Sequence, residues 1–357
     1  MAIFCETDPG AQMVTRIALL LAGMLAAIQL SPANAQPAAQ YFQRNPLRLI
    51  VSTAAGGGYD SMGRLLARYM SKYLPGSPVI AVQNMPGAGG VLAVNYLANL
   101  APRDGSTFAL LDRGVMTARI LYGDSSKTQF DPRKLLWLGS VTKEAGVGLF
   151  SARSGLKTLG DAKTREVVFG STGVETDPAM YGRLVNALFG TRFKMIPGYS
   201  GETAYEQAMM TGETDGMFAS GWSGPNTIKE LAAYRAGQLT YFIQMTKQRL
   251  PELPDTPTIL DLLQNQEDRQ IVDVVLSRLV LGTPFLAPPD VPADRIALLR
   301  SAFRSTVADE GFRQDAERQL NHVDPTYPQE AEKLIDAVFA TPAAVQRRLR
   351  EIVKFTG

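Results

Sequence analysis

Short apolar runs alternate along this chain with longer stretches whose apolar residues recur every three or four positions. That alternation predicts strands feeding helices. Leu49, Ile50 and Val51 form a β-branched block suited to a strand covered on both faces. A glycine-rich turn follows, and beyond Asp60 the residues Met62, Leu65, Leu66, Tyr69, Met70, Tyr73 and Leu74 fall at helical spacing before Pro75-Gly76. Asp60 is expected to cap that helix. A second strand is predicted over 79–82, leading through Asn84-Met85-Pro86-Gly87-Ala88-Gly89-Gly90 into a helix over 91–100, with a third strand over 107–111. Strand, turn and helix twice in succession is a parallel-sheet signature.

A different region begins around 140–150, and the same logic then repeats. A strand over 167–169 runs into Gly170-Ser171-Thr172-Gly173-Val174-Glu175-Thr176 and a helix over 177–188. Strands over 193–196, 215–219 and 239–244 are predicted with helices over 203–210 and 226–236 between them. The run 279–281, before Gly282-Thr283-Pro284, reads as a return strand into the first unit. From Pro292-Ala293-Asp294 onward the spacing of Ile296, Leu298, Leu299, Phe303 and Val307 is helical, and further helices are predicted over 310–320, 329–339 and 343–354. Heptads, internal repeats and transmembrane patterns are absent from the sequence.

Length and composition narrow this picture. A chain of 357 residues is long enough for two domains, each with its own core. The formal net charge of +2 gives no basis for a nucleic-acid partner. The N-terminus resembles a secretory leader: residues 17–30 are apolar, Arg16 precedes them and Ala33-Asn34-Ala35 forms an A-x-A cleavage site. Residues 1–35 are therefore expected to be removed, with Met13 a more typical start than Met1. The apolar run is shorter than the roughly 20 residues needed to span a bilayer. The single cysteine, Cys5, lies in this leader, so the expected mature protein has no disulfide, no thiol chemistry and no lipidated cysteine.

Catalytic constellations are scarce. The sole histidine, His322, falls between predicted helices, and Gly221-Trp222-Ser223-Gly224 lacks the spacing of a nucleophile elbow. Neither a P-loop nor G-x-G-x-x-G follows a strand. No catalytic residue, metal ligand or cofactor is expected. Two backbone-rich turns remain, at 53–58 and 171–176, where glycines and small hydroxyls leave N–H groups at a helix N-terminus free to hold an anion such as a carboxylate.

In order along the chain, Val51 to Asp60 (VSTAAGGGYD) with Arg64, the V-x-N-x-P-G-A-G-G segment from Val82 to Gly90, and Asp104-Gly105-Ser106-Thr107 match a known pattern. So do Phe130-Asp131-Pro132, Ser171-Thr172-Gly173, Pro197-Gly198-Tyr199-Ser200-Gly201, Thr211-Gly212-Glu213-Thr214-Asp215, Pro254-Asp255-Thr256-Pro257-Thr258 and Leu286-Ala287-Pro288-Pro289. This set resembles the periplasmic substrate-binding proteins of tripartite tricarboxylate transporters, the Bug family. The resemblance implies an α/β, two-lobed periplasmic binding-protein fold of type II, with a ligand cleft between the lobes. The expected lobes are 45–145 with 279–357, and 146–278.

The resemblance further implies a monomeric periplasmic receptor for a small organic carboxylate, partnered by the permease subunits of a membrane transporter. Its ligand contacts here would be Thr53, Ala54, Ala55, Gly56 and Gly57 in the first lobe and Ser171, Thr172, Gly173 and Thr176 in the second. Tyr199 and Ala219-Ser220 would add wall. Two departures stand out. Ser52-Thr53 replaces a common Pro-Phe, and Glu175 and Ala179 occupy places where the family has glycine and histidine, which bears on whether the site tolerates a polyanion. Tyr199 fits wall or core equally, Trp222 reads as packing, and Asp215 reads as stabilising a strand start. A ligand-presenting sensory partner of a membrane receptor, or an exported enzyme working through carboxylates, are the competing functions.

Overall fold

The short apolar runs become the inner strands of two five-stranded sheets. The computed structural model describes residues 37–123, 127–173, 176–200, 202–219, 232–319 and 322–354. The expected leader at 1–35, Glu175, Ser220, Trp222 and most of the expected helix at 226–236 lie outside the described residues. The strands are β1 (Leu47–Val51), β2 (Ile80–Asn84), β3 (Thr107–Leu110), β4 (Leu136–Ser140), β5 (Gly146–Ser151), β6 (Val167–Gly170), β7 (Phe193–Ile196), β8 (Gly216–Ala219), β9 (Leu239–Met245) and β10 (Pro284–Ala287).

One sheet has the order β2-β1-β3-β10-β4 and the other β7-β6-β8-β5-β9. In the first, β1 runs parallel to β2 and β3, while β10 is antiparallel to β3 and β4. In the second, β6 runs parallel to β7 and β8, while β5 is antiparallel to β8 and β9. The two orders are the same pattern. In each sheet the antiparallel strand, one place in from an edge, is the strand through which the chain arrives from the other sheet.

Burial differs between the two edges of each sheet, since the edge strands β4 and β9 are almost wholly buried. The inner strands β3, β10 and β5 are buried along their whole length, whereas the edge strands β2 and β7 are half-exposed. Alternation sorts the side chains: Leu49, Val51, Leu110 and Phe285 enter one core with the helices Gly58–Met70 and Ala293–Ala308. Ile50, Ala109, Leu111 and Leu286 enter the opposite core with the helices Val91–Asn99 and Pro328–Phe339. The second sheet centres on an aromatic cluster in which Phe150 and Phe242 stack at 4.1 Å. The C-terminal helix Ala343–Val353 sends Val345, Leu349 and Val353 into that same cluster.

The chain crosses between sheets twice, after β4 and before β10, and buried hydroxyls splice the crossings together. Thr142 N donates to Thr283 Oγ1 at 3.2 Å, and Thr283 N donates to Ser140 Oγ at 3.0 Å. Gly282 N donates to Thr142 O at 3.1 Å, and Val141 N to Thr283 O at 3.2 Å. A Cβ on Gly282 would lie 2.4 Å from Thr142 Oγ1, so only glycine lets the crossings approach this closely.

Three local features differ from the sequence reading. Residues 279–281 end a long helix, Gln266–Val280, and the return strand is β10. Ile271, Val272, Val275 and Leu279 line the buried side of that helix at helical spacing, and only Leu279-Val280-Leu281 forms a short apolar run that periodicity alone does not separate from a strand. β4 and β5 were not anticipated as strands. Gly57 caps the helix Gly58–Met70, and Asp60 lies inside its first turn. Asp215 does sit at a strand start, where Oδ2 accepts the Val168 N–H at 2.8 Å and ties β6 to β8.

Gly282→Ala is expected to destabilise the fold by about 1–3 kcal/mol, as overpacking does. Gly58→Ala, at an open position with an ordinary backbone conformation, is expected to be neutral or mildly stabilising. Urea denaturation of the two variants checks the contrast; equal midpoints would sink it.

Candidate functional site

Between the two sheets lies a cavity of about 670 Å3 whose wall draws on both halves of the chain. From the first half come Tyr59, Ala88, Gly89, Val91 and the segment after β3, and from the second Thr172, Thr176, Asp177, Glu202 and Tyr205. Arg278 reaches it from the helix Gln266–Val280, close to the second crossing.

The segment after β3 is shaped by local hydrogen bonds. Ser52 Oγ accepts the Asp112 N–H at 2.8 Å, joining the ends of β1 and β3, and Asp112 Oδ1 caps the next turn by accepting the Gly114 N–H at 2.7 Å. Arg113 is thereby aimed across the cleft. Its Nη2 lies 2.7 Å and its Nε 3.2 Å from Oδ2 of Asp177, the first residue of the helix Asp177–Phe189 in the other lobe. Arg278 Nη2 stands 3.0 Å from the other oxygen, Oδ1. The side chains of all three are largely out of water, at 15%, 7% and 8% exposure for Arg113, Asp177 and Arg278.

The electrostatics follow from this arrangement. Burial pushes the Asp177 carboxyl up, but Arg278 and Arg113 overcome it and hold the group below the usual carboxylate range. Burial raises Asp112 and Glu144, with Arg113 opposing in both cases. Tyr59 is pushed up by burial as well. Its hydroxyl donates to Gly282 O at 2.8 Å and accepts the Arg113 N–H at 3.3 Å, so one phenol touches both the crossing and the cleft.

The residues singled out in the sequence fall in different places. Thr172 and Thr176 line the cavity. Ser171 is buried beside them, with Oγ donating to Gly173 O at 3.4 Å, and Thr176 Oγ1 donates to the same oxygen at 2.7 Å. Thr53, Ala54, Ala55, Gly56 and Gly57 form a loop in which all but Thr53 are exposed, and none stands among the described lining residues. The loop's own anion slot is filled internally: Asp60 Oδ2 accepts the Gly56 N–H at 2.8 Å, while Asn84 Nδ2 bonds Asp60 Oδ1 at 2.9 Å. Tyr199 stands behind the wall, its ring against Tyr205 and its hydroxyl donating to Glu213 Oε1 at 2.7 Å. His322 is exposed in a loop.

Sequence reasoning missed Ala88 and Gly89 as wall, although they belong to its most specific segment. Four consecutive positive φ values, from Gly87 to Gly90, bend that segment into the cavity. It also missed Arg113, Asp177 and Arg278. Arg113 and Arg278 carried no local signal, and only the fold brings them to one carboxylate.

The sequence profile described as "Tripartite tricarboxylate transporter family receptor" matches residues 62–348. A UPF0065 protein of Cupriavidus necator is 31% identical over 251 residues, covering 68% of this chain and 72% of that protein. A second, from Agrobacterium vitis, is 28% identical and covers 75% of this chain and 73% of its own. Among solved structures, a TctC solute-binding protein from Polaromonas superposes with a TM-score of 0.65 at 20% identity, covering 86% of this chain and 97% of that one. MatC of Rhodopseudomonas palustris, solved with bound malate, gives 0.57 at 22% identity over 87% and 99%. An R. palustris protein solved with adipate gives 0.58 at 16% identity over 86% and 97%.

Asp60 generates a pH prediction. Arg64 is the main cause, with the Gly56 N–H and Asn84 adding to it against burial, that holds its carboxyl down to about 2. A group depressed in the folded state contributes stability above its ordinary pKa near 3.8 and loses it as pH falls toward 2. Urea midpoints measured at pH 5 and pH 2.5 are therefore expected to differ less in Asp60→Asn than in the unaltered protein. The same difference in both proteins would refute this role.

Proposed function

The chain belongs to the tripartite tricarboxylate transporter receptor family, and from that premise we propose that it is an exported solute-binding protein that captures an organic carboxylate in the cleft between its lobes and delivers it to a membrane transporter of that type. The observation that carries this reading is the cavity itself, walled by both lobes and bridged by Arg113 and Asp177. A volume of about 670 Å3 suits a small organic acid with its ordered waters.

Capture works by closure. The ligand touches both walls, so it binds the closed arrangement more tightly than the open one and shifts the population toward it. The two spliced crossings between the sheets are where the chain bends, and the permease subunits read the closed form. Thr172, with the main chain at Ala88 and Gly89, holds the carboxylate through N–H and O–H donors, while Thr176, whose hydroxyl and N–H both bond Gly173 O, lines the same wall. Ser171 and Gly173 shape that turn, Tyr199 backs the wall, and the loop of Thr53, Ala54, Ala55, Gly56 and Gly57 closes over the rim. The protein acts as a periplasmic monomer and returns its ligand unchanged. Bound malate and adipate in two structural neighbours support carboxylates as the ligand class.

A thermal-shift screen of carboxylic acids is expected to raise the unfolding temperature with at least one of them, since binding to the folded state alone stabilises it. Thr172→Glu, which sets a like charge in the wall, is expected to weaken that ligand at least ten-fold while the protein stays folded. Gly57→Glu is expected to weaken it by a smaller factor, from the rim. Unchanged affinity in Thr172→Glu would remove this wall from the site. Deleting the gene is expected to abolish uptake of the ligand; loss of only a transcriptional response would make the protein a sensory partner instead.

A further inference from the structure

The charges around the cavity limit the anion it can take. We infer that the cleft selects a monocarboxylate with an apolar or aromatic body, and that Asp177 sets this selectivity by standing between Arg113 and Arg278 where a second ligand carboxylate would otherwise sit. This rests on the carboxylate-capture reading above and narrows it.

The geometry is that of a bound acid. Oδ2 of Asp177 accepts a hydrogen bond from Arg113 at 2.7 Å, and Oδ1 lies at ion-pair distance from Arg278, 3.0 Å, without a hydrogen bond, so two guanidiniums flank one carboxylate. Here the protein supplies that carboxylate itself. Two cations and one anion leave a surplus of one positive charge. Asp112, itself on the wall, cancels it, and Lys127 and Glu202 offset each other, so the lining carries no net formal charge. A tricarboxylate brought into this cleft would leave most of its charge unmatched and away from water, which is costly.

One place for a single acid remains. Arg278 is buried, yet its Nε has no hydrogen-bond partner and its Nη1 meets only the thioether of Met180 at 3.3 Å. Arg278 lines the cavity, so its guanidinium, short of acceptors, is where a single ligand carboxylate would dock. The rest of the wall suits the body of such an acid rather than further charges: Tyr59, Tyr122 and Tyr205 with Val91, Val115 and Pro178.

Calorimetric titration with matched pairs tests this: benzoate against phthalate, and hexanoate against adipate, each pair differing by one carboxylate, with tricarballylate as the trianion. The monocarboxylate of at least one pair is expected to bind ten-fold or more tightly than its dicarboxylate and than tricarballylate. Asp177→Asn keeps the shape and removes the charge, and is expected to shift the ratio within that pair at least ten-fold toward the dicarboxylate, with circular dichroism confirming the fold. A dicarboxylate or tricarballylate binding as tightly as the monocarboxylates in the unaltered protein overturns the inference and leaves carboxylate capture standing; this ranking decides the matter even where the variant does not fold. An unshifted ratio in a folded Asp177→Asn overturns the role of Asp177. Binding of none of the five acids overturns carboxylate capture by this cleft, and with it the inference.

Discussion

A carboxylate sealed between two guanidiniums is tolerable only while all three stay together, and the cleft of this protein is arranged around that constraint. Asp177, Arg113 and Arg278 come from three separate segments: the first turn of a helix in one lobe, the turn after β3 in the other, and the helix that leads into the second crossing. Removing one member of such a buried set costs about 3–5 kcal/mol, because a charge is left desolvated and uncompensated. The set therefore ties one lobe to the other across the cleft in this arrangement. It also decides what the cleft has left to offer a ligand, since guanidiniums committed to Asp177 hold only the charge that Asp177 does not cancel.

The crossings and the ion triad are joined through Tyr59. Its phenol donates to the carbonyl of Gly282 within one crossing and receives the main-chain N–H of Arg113 at the cleft. A change in the path of the crossing must move that phenol, and with it the root of the arginine that reaches the opposite lobe. Gly114 tightens the same coupling from the other side, because a Cβ there would lie 2.7 Å from the Arg278 guanidinium. Two glycines and one tyrosine thus let chain crossing, turn and ion pair share a space in which ordinary side chains would hold them apart.

Much of the framework was legible in the sequence, and the reasons are particular. Leu49 to Val51 read as a fully covered strand because β1 lies between β2 and β3, and the residues from Met62 to Met70 read as a helix because one stripe of them enters the core. The helix Gln266–Val280 was mistaken near its end, where Leu279, Val280 and the C-cap Leu281 form an apolar run and period alone carries no distinction. The partner of the C-terminal helix was beyond reach: Val345, Leu349 and Val353 announce an apolar stripe, but nothing in their spacing says it meets Leu184 and Val185. Thr172 and Thr176, which line the cavity, were singled out through the helix N-terminus they adjoin. The triad was not, since a lone arginine at 113 or 278 resembles any surface arginine until the chain is folded.

The two glycine-rich turns of the first lobe show why a motif indicates a loop better than it indicates a contact. The turn at 53–57 has the composition of an anion cradle, yet Asp60 already occupies one of its donors, held there by Arg64 and Asn84. The turn at 87–90 was read only as a connection, yet its unbroken series of left-handed backbone angles places Ala88 and Gly89 in the cavity wall. Both carry glycine for the same conformational reason. What separates them is whether a nearby carboxylate of the protein satisfies the freed N–H groups, and that depends on Asn84, a residue 24 positions from the Asp60 it orients. The same distinction governs the whole cleft. Where the protein supplies its own acid, at Asp60 and at Asp177, the donors around it are taken up by the protein itself.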